Sequence, residues 1–268
     1  VHDLASRTLR PLFGFLVPWL AASAAFAEEA APAVADPADT AWLLAASGLV
    51  LMMTLPGLAL FYGGLVRAKN VLNVFMQCFI AAGAFIGNFA KAGLAGVDLT
   101  SVIPNYGTDP VRNIPEYIFV VFQGMFAIIT PALILGAVVE RMKFSAFLAF
   151  ISIWLLVVYC PLAYMVWGGG WIFKAGAIDF AGGLVVHMSS GFSALVAALV
   201  VGKRRGFGKE SMAPHSLPLC LIGAGLLWAG WFGFNAGSAL SASPLATLAF
   251  LNTTTAASTA VFAWAAIE

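Results

Sequence analysis

The sequence predicts an all-α chain, a polytopic membrane helix bundle, on three observations. Hydrophobic residues make up 62% of its 268 positions and charged residues 9%, and the mean hydropathy is +0.96. A soluble domain is about half apolar and about a quarter charged. The apolar residues fall into an N-terminal run and seven further ones, most of the seven about the 20 residues that a helix needs to cross a ~30 Å hydrocarbon core. Basic residues gather in alternate connecting loops, as they do when a chain threads a bilayer.

The first run is of a different kind. Arg7 and Arg10 precede LFGFLVPWLAASAAFA, which ends in a small-x-small pattern before Glu28. This is the form of a signal peptide over residues 1–27, with cleavage after Ala27. The alternative, a short extra span, is weakened by the length of the run and by Pro18. Residues 28–40, EEAAPAVADPADT, are acidic and rich in Pro and Ala, and are expected to form a solvated leader. The membrane domain is expected over 41–268.

Spans are expected near 41–65, 71–89, 117–139, 144–166, 181–201, 217–239 and 246–267. They should be helices, because lipid offers unpaired backbone groups no partners. Pro56-Gly57 and Pro131 are expected to kink the first and third. Arg67, Lys69, Arg141, Lys143, Lys203, Arg204, Arg205 and Lys209 lie in one set of loops, and only Lys91, Arg112 and Lys174 in the other. Eight against three places the first set in the cytoplasm and the mature N-terminus outside, at the cell (inner) membrane. The signal peptide requires the same orientation.

Several function classes fall away. The net charge of +1 and the lack of a basic run give no footprint for a nucleic-acid partner. Cys78, Cys160 and Cys220 sit inside apolar runs without metal-type spacing and read as small hydrophobes. No metal or cofactor is expected. No HExxH, GxSxG, Walker or Rossmann pattern occurs, so nothing points to an enzyme.

The polar residues inside apolar runs carry the functional signal. Asp179 stands where the fifth helix should begin, and Asp is a strong N-cap. Its charge is also suited to tuning an outer cation site. His187 lies eight residues further on, about 12 Å down a helix axis, and an ionisable group at that depth is a functional candidate. Two readings stand for it: a structural histidine bonded to a carbonyl on the next helix, or a neutral imidazole lining a path for a small hydrogen-bonding solute. Aromatic residues and a hydroxyl cluster near the outer ends of other spans. They are Phe122, Gln123 and Phe126; Trp167 beside three glycines; and Phe234, Asn235 and Ser238. Converging aromatic faces with a hydroxyl would hold a small cation, and deeper rings such as Phe126 and Phe234 could gate by excluding water.

Five ordered blocks then resemble the ammonium transporter (Amt/Mep/Rh) family, in its Amt branch: FYGGLVRAKNVL, FQGMFAIITPALILGAVVERMKFS, MVWGGG, DFAGGLVVHMSSG and GWFGFNAGSA. The resemblance covers roughly residues 38–268. It implies a fold of two inverted five-helix halves with a closing eleventh helix, of which this sequence holds the first half plus the start of the second. It implies an outer ammonium site at Phe122, Trp167 and Ser238, a gate of Phe126 and Phe234, the first of two pore histidines at His187, and a required vestibule acid at Asp179. The second histidine belongs to a later helix. The family's trimers, its passage of neutral ammonia along the histidines and its cytoplasmic regulatory partner are implied with the rest. Two departures stand out. The second span is shorter than the family's, with Asn88 and Lys91 where apolar residues are expected, and Tyr164 takes a position where histidine is common. An ammonium sensor on the same scaffold and a non-conducting truncated remnant are the competing expectations.

Overall fold

A computed structural model describes residues 34–67, 93–105 and 110–268. Six helices in it are long and apolar enough to span a membrane: α1 (Pro37–Leu65), α2 (Glu116–Val138), α3 (Phe144–Lys174), α4 (Gly183–Val201), α5 (Leu217–Gly237) and α6 (Pro244–Ile267). The expected span at 71–89, with its departures at Asn88 and Lys91, lies outside the described residues, as does the signal peptide. Helix starts follow their caps. Asp36, Ser216 and Ser243 accept the N–H of Asp39, Leu219 and Ala246 respectively, each with a proline in the first helical positions. The leader was expected to reach residue 40, but the Asp36 cap starts α1 at Pro37, and Asp39 is buried rather than solvated.

Among the described residues the strands form one antiparallel hairpin, which falls between α1 and α2 in the sequence: β1 (Val102–Asn105) and β2 (Arg112–Pro115), in which Asn105 pairs with Arg112. Asp36 N–H donates to the Asn113 carbonyl at 2.7 Å and ties the start of α1 to β2. Among the described residues three π-helical turns occur, Met53–Gly57 inside α1, Leu155–Tyr159 inside α3 and Gly183–Met188 at the start of α4. The first contains Pro56, whose missing N–H breaks the regular ladder. Pro131 behaves otherwise: α2 runs unbroken through it from Glu116 to Val138. Just before it, the Thr130 hydroxyl donates to the Phe126 carbonyl at 2.5 Å.

Helix α5 lies along α1 and against α6; α2 packs on α1 and α4, and α3 on α2 and α4. The α1–α5 contact is very close. A β-carbon at Gly64 would stand 2.7 Å from the backbone of both Cys220 and Ser216. The α5–α6 contact is made by stacked Phe232 and Phe250, 4.1 Å apart, and by Asn235 donating to Thr253 at 2.9 Å.

The two ends of the bundle differ in charge. At one end Glu140, after α2, is 3.0 Å from Arg67 and 3.1 Å from Arg204. Arg141 donates to the Gly202 carbonyl there, and a ring nitrogen of His215 lies 2.8 Å from the Val66 carbonyl. These are the loops expected to carry most of the basic residues. At the other end, the hairpin meets the turn after α5, where Asn105 donates to the Ala239 and Leu240 carbonyls.

Candidate functional site

Four helices bring the singled-out aromatic residues into one column. Phe122 and Phe126 lie one turn apart on α2, edge to face at 5.1 Å. Phe126 stacks on Phe234 of α5 at 4.4 Å and meets the Trp167 ring edge-on at 5.9 Å. Below Phe234 comes His187 of α4, at 5.7 Å. Phe122, Phe126 and Phe234 are almost fully buried. Those three rings are thus closed to solvent, whereas His187 is half-buried.

Local sequence sets each position. Asp179 closes the head of α4: one carboxylate oxygen accepts from Gly182 and Gly183 at 2.6 and 2.7 Å, the other from Leu184 and Val185, both at 2.9 Å. Four backbone N–H groups that a helix start leaves orphaned are thereby satisfied. Gly182 has φ +91, and a β-carbon there would meet Val186 Cγ2 at 2.6 Å, so the turn requires glycine. The next turn is the π segment that carries His187, and π turns concentrate at functional sites.

Trp167 follows the break in α3 and donates its indole N–H to the Asp179 main-chain carbonyl at 2.8 Å. That bond fixes the ring and leaves its π face as the interacting surface. Ser238 closes α5 and donates to the Phe234 carbonyl at 2.7 Å, so its oxygen remains an acceptor. The chain beside it touches the column, since a β-carbon on Gly237 would stand 2.9 Å from the Phe122 ring.

One residue escaped the sequence reading. Trp231 lies 5.6 Å from His187 with the rings nearly parallel, 19° apart, and 5.2 Å from Phe234. The signal was present, since positions i and i+3 share a helix face and Trp231 precedes Phe234 by three. Among the described residues, no hydrogen bond reaches either ring nitrogen of His187, and the Trp231 ring is the partner that lies nearly parallel to it. No group of three or more His, Cys, Asp or Glu that could hold a metal occurs among the described residues. An open apolar cleft of about 1000 Å³ behind Trp42, against α6, contains none of these site residues.

The fold defines a multi-pass helical membrane protein with an aromatic column between its helices. Comparison with known proteins gives the family. The Ammonium Transporter Family matches residues 41–268, and the chain belongs to it. It is 45% identical to the ammonium transporter Amt1 of Archaeoglobus fulgidus over 234 residues, 85% of this chain and 60% of the relative. It is also 45% identical to an ammonium transporter of Aquifex aeolicus over 248 residues, 88% of this chain and 58% of the relative. Among solved structures, Candida albicans Mep2 is similar with a TM-score of 0.70 and 36% identity, over 82% of this chain and 52% of that one. A structure titled Sensor Amt Protein is similar with a TM-score of 0.69 and 28% identity, over 82% and 59%. The chain thus spans only 58–60% of the length of these two curated relatives.

Proposed function

We propose that the whole protein conducts ammonium across a membrane, taking up the cation outside and passing neutral ammonia inward. The observation that carries this is the Phe126–Phe234 stack standing directly over the paired rings of His187 and Trp231. Ammonium would be recruited by the faces of Phe122 and Trp167 and by the Ser238 oxygen. Cation–π attraction contributes roughly 0.5–2 kcal/mol at such a site, and the serine lone pair accepts an N–H. A bare cation does not enter a dry aromatic column without a large desolvation cost. Ammonium can avoid that cost by leaving its proton behind, and His187 offers the neutral product a hydrogen-bonding partner. Potassium has no proton to lose, which gives the path its selectivity. Asp179 holds the head of α4 and, through its carbonyl, the Trp167 ring.

Several further statements belong to the same reading. The basic loops face the cytoplasm at the cell (inner) membrane, residues 1–27 are a cleaved signal peptide, and the mature N-terminus is outside. The protein assembles as a homotrimer, and a cytoplasmic protein regulates it. The likeness to a structure titled a sensor favours one alternative, ammonium sensing on the same scaffold.

The test is uptake of ammonium or methylammonium by proteoliposomes holding the full-length gene product, parent against His187→Ala. Substrate-dependent uptake above that of empty vesicles, altered in rate or selectivity by the substitution, supports conduction. Parent uptake equal to empty vesicles favours the sensor, and undiminished, equally selective uptake in His187→Ala removes the histidine from the path.

A further inference from the structure

The turn after α5, Ala236–Ser243, carries Ser238 and is gripped by side chains far away in sequence. Trp42 donates its indole N–H to the Ala236 carbonyl at 3.2 Å. Asn105, buried at the end of β1, donates to the Ala239 and Leu240 carbonyls at 3.2 and 3.1 Å. Asp39 accepts the Ala242 N–H at 2.8 Å through one oxygen, while the other faces the Arg112 guanidinium at 3.2 Å in an ion pair. Asp39 is 0% exposed. Arg112 also lies 3.7 Å from Asp36 and is the register partner of Asn105. The N-terminus of α1, the hairpin and this turn therefore form a single clasp.

The backbone inside the clasp is strained. Leu240 has φ +54, in the left-handed region that side-chain-bearing residues enter only when their surroundings constrain them. Leu240 follows Ser238 by two residues, and its carbonyl is one of the two that Asn105 binds. A helix end held only by its own bonds would fray and let this residue return to negative φ. The strained turn persists because partners from outside its own helix hold it.

We propose that Asn105, backed by the ion pair of buried Asp39 with half-buried Arg112, is a positioning residue for the outer cation site, fixing where the Ser238 oxygen points. The inference rests on the reading of Ser238 as an ammonium acceptor. Neither Asn105 nor Asp39 need touch the cation. They act through the turn's carbonyls and N–H, so the expected effect falls on capture at low concentration and leaves the rate of passage through the column unchanged.

The experiment measures uptake by the full-length protein in proteoliposomes across a range of ammonium concentrations, separating half-saturation from maximal rate. Asn105→Ala should raise the half-saturating concentration about fivefold, the equivalent of one net hydrogen bond, with the maximal rate little changed. Adding Leu240→Gly, which removes the strain, should bring half-saturation back toward the parent value. Ser238→Ala should raise half-saturation as well, and combining it with Asn105→Ala should add little.

A fall in maximal rate at unchanged half-saturation, or full additivity with Ser238→Ala, would overturn the proposal. If Ser238→Ala itself leaves half-saturation at the parent value, the outer-site reading fails. If Ser238→Ala shifts it and Asn105→Ala does not, only the positioning role fails. Should Asn105→Ala not reach the membrane, Arg112→Lys reads the same clasp while keeping its charge. A smaller shift in the same direction supports the proposal, and parent behaviour refutes it.

Discussion

Trp167 donates its indole N–H to the main-chain carbonyl of Asp179, 2.8 Å away. The acid's carboxylate meanwhile holds four N–H groups at the head of α4. A single residue thus sets both the start of the helix that carries His187 and the orientation of the outer indole. Asp179→Asn keeps one acceptor oxygen but turns an NH2 group toward two of the four donors. Stability should fall by about 1 kcal/mol, the low end of the cost of leaving donors unpaired, because these are at most partly buried. Thermal unfolding in detergent measures it. Trp167→Phe, which loses only the indole bond, should cost less, and an Asp179→Asn protein as stable as its parent would remove the capping role.

Close approach of α1 and α5 gives a second expectation. At Gly64 an added β-carbon would meet backbone atoms of Cys220 and Ser216 at 2.7 Å, and backbone cannot swing aside. Gly64→Ala should therefore destabilise by about 1–3 kcal/mol, as overpacking does. Gly48, on the same helix, has nothing within 4 Å of a β-carbon. Gly48→Ala should be neutral or stabilising by up to about 1 kcal/mol, since alanine is the better helix former. Equal effects of the two changes would exclude the close α1–α5 approach as the cause.

How far the sequence revealed this architecture depended on which physical signal each feature leaves. Long apolar runs mark spans because lipid enforces them, and six of the seven expected coincide with described helices, five to within four residues at either end and α3 running on to Lys174, past the expected end at 166. Asp179 was legible as a cap because the residue type and its place before an apolar run suffice. Phe126 and Phe234 stood out as deeper rings in two aromatic clusters, and the family's motifs supported their pairing, since the spacing of either helix alone does not say which rings will face each other. Trp231 had a visible i, i+3 relation to Phe234, yet a tryptophan near a span end reads first as an interfacial anchor. The clasp of Asp39, Asn105 and Arg112 left no local trace. Its partners lie up to 203 residues apart, and acidic residues before a first span read as solvated leader.

At the opposite end, Glu140 is held by two arginines with its side chain only 1% exposed, against 29% and 30% for Arg67 and Arg204. Glu140→Gln removes the counter-charge that the two guanidinium groups share, leaving Arg67 with the more distant Glu210 at 3.8 Å. The expected loss is about 3 kcal/mol, the low end of what breaking a buried ion pair costs, because both arginines keep contact with water. A buried carboxylate is poorly screened, so the loss should change little between low and high salt. A stability difference that vanishes in high salt would mark the pair as a surface contact.

Asp98 supplies a pH expectation in the loop before β1. The Thr100 hydroxyl and N–H, together with the Ser101 hydroxyl and N–H, donate to its carboxylate and hold its pKa below the ordinary value. A depressed carboxylate contributes stability above its unfolded pKa and loses that contribution as pH falls through the folded pKa. Amide protection at Thr100 and Ser101, corrected for intrinsic exchange, should accordingly hold at neutral pH and drop only in strong acid. In Asp98→Asn it should be low at both. Protection that is unaltered by the substitution would show that the turn is held by other contacts.

Phe234 joins the upper and lower parts of the column, stacked on Phe126 at 4.4 Å and touching both His187 and Trp231. Its ring is 0% exposed. Phe234→Ala should cost about 3–5 kcal/mol through the lost contacts and the cavity left behind. Phe234→Leu retains most of the volume and should cost less, while still removing the ring stack. If the stacked rings are what keeps the column dry, the two variants separate by volume: alanine opens a continuous gap and leucine does not. Osmotic shrinkage of vesicles carrying the full-length protein should then quicken in Phe234→Ala and stay near the parent rate in Phe234→Leu. Equal water permeability in parent and Phe234→Ala would place the barrier to water elsewhere in the protein.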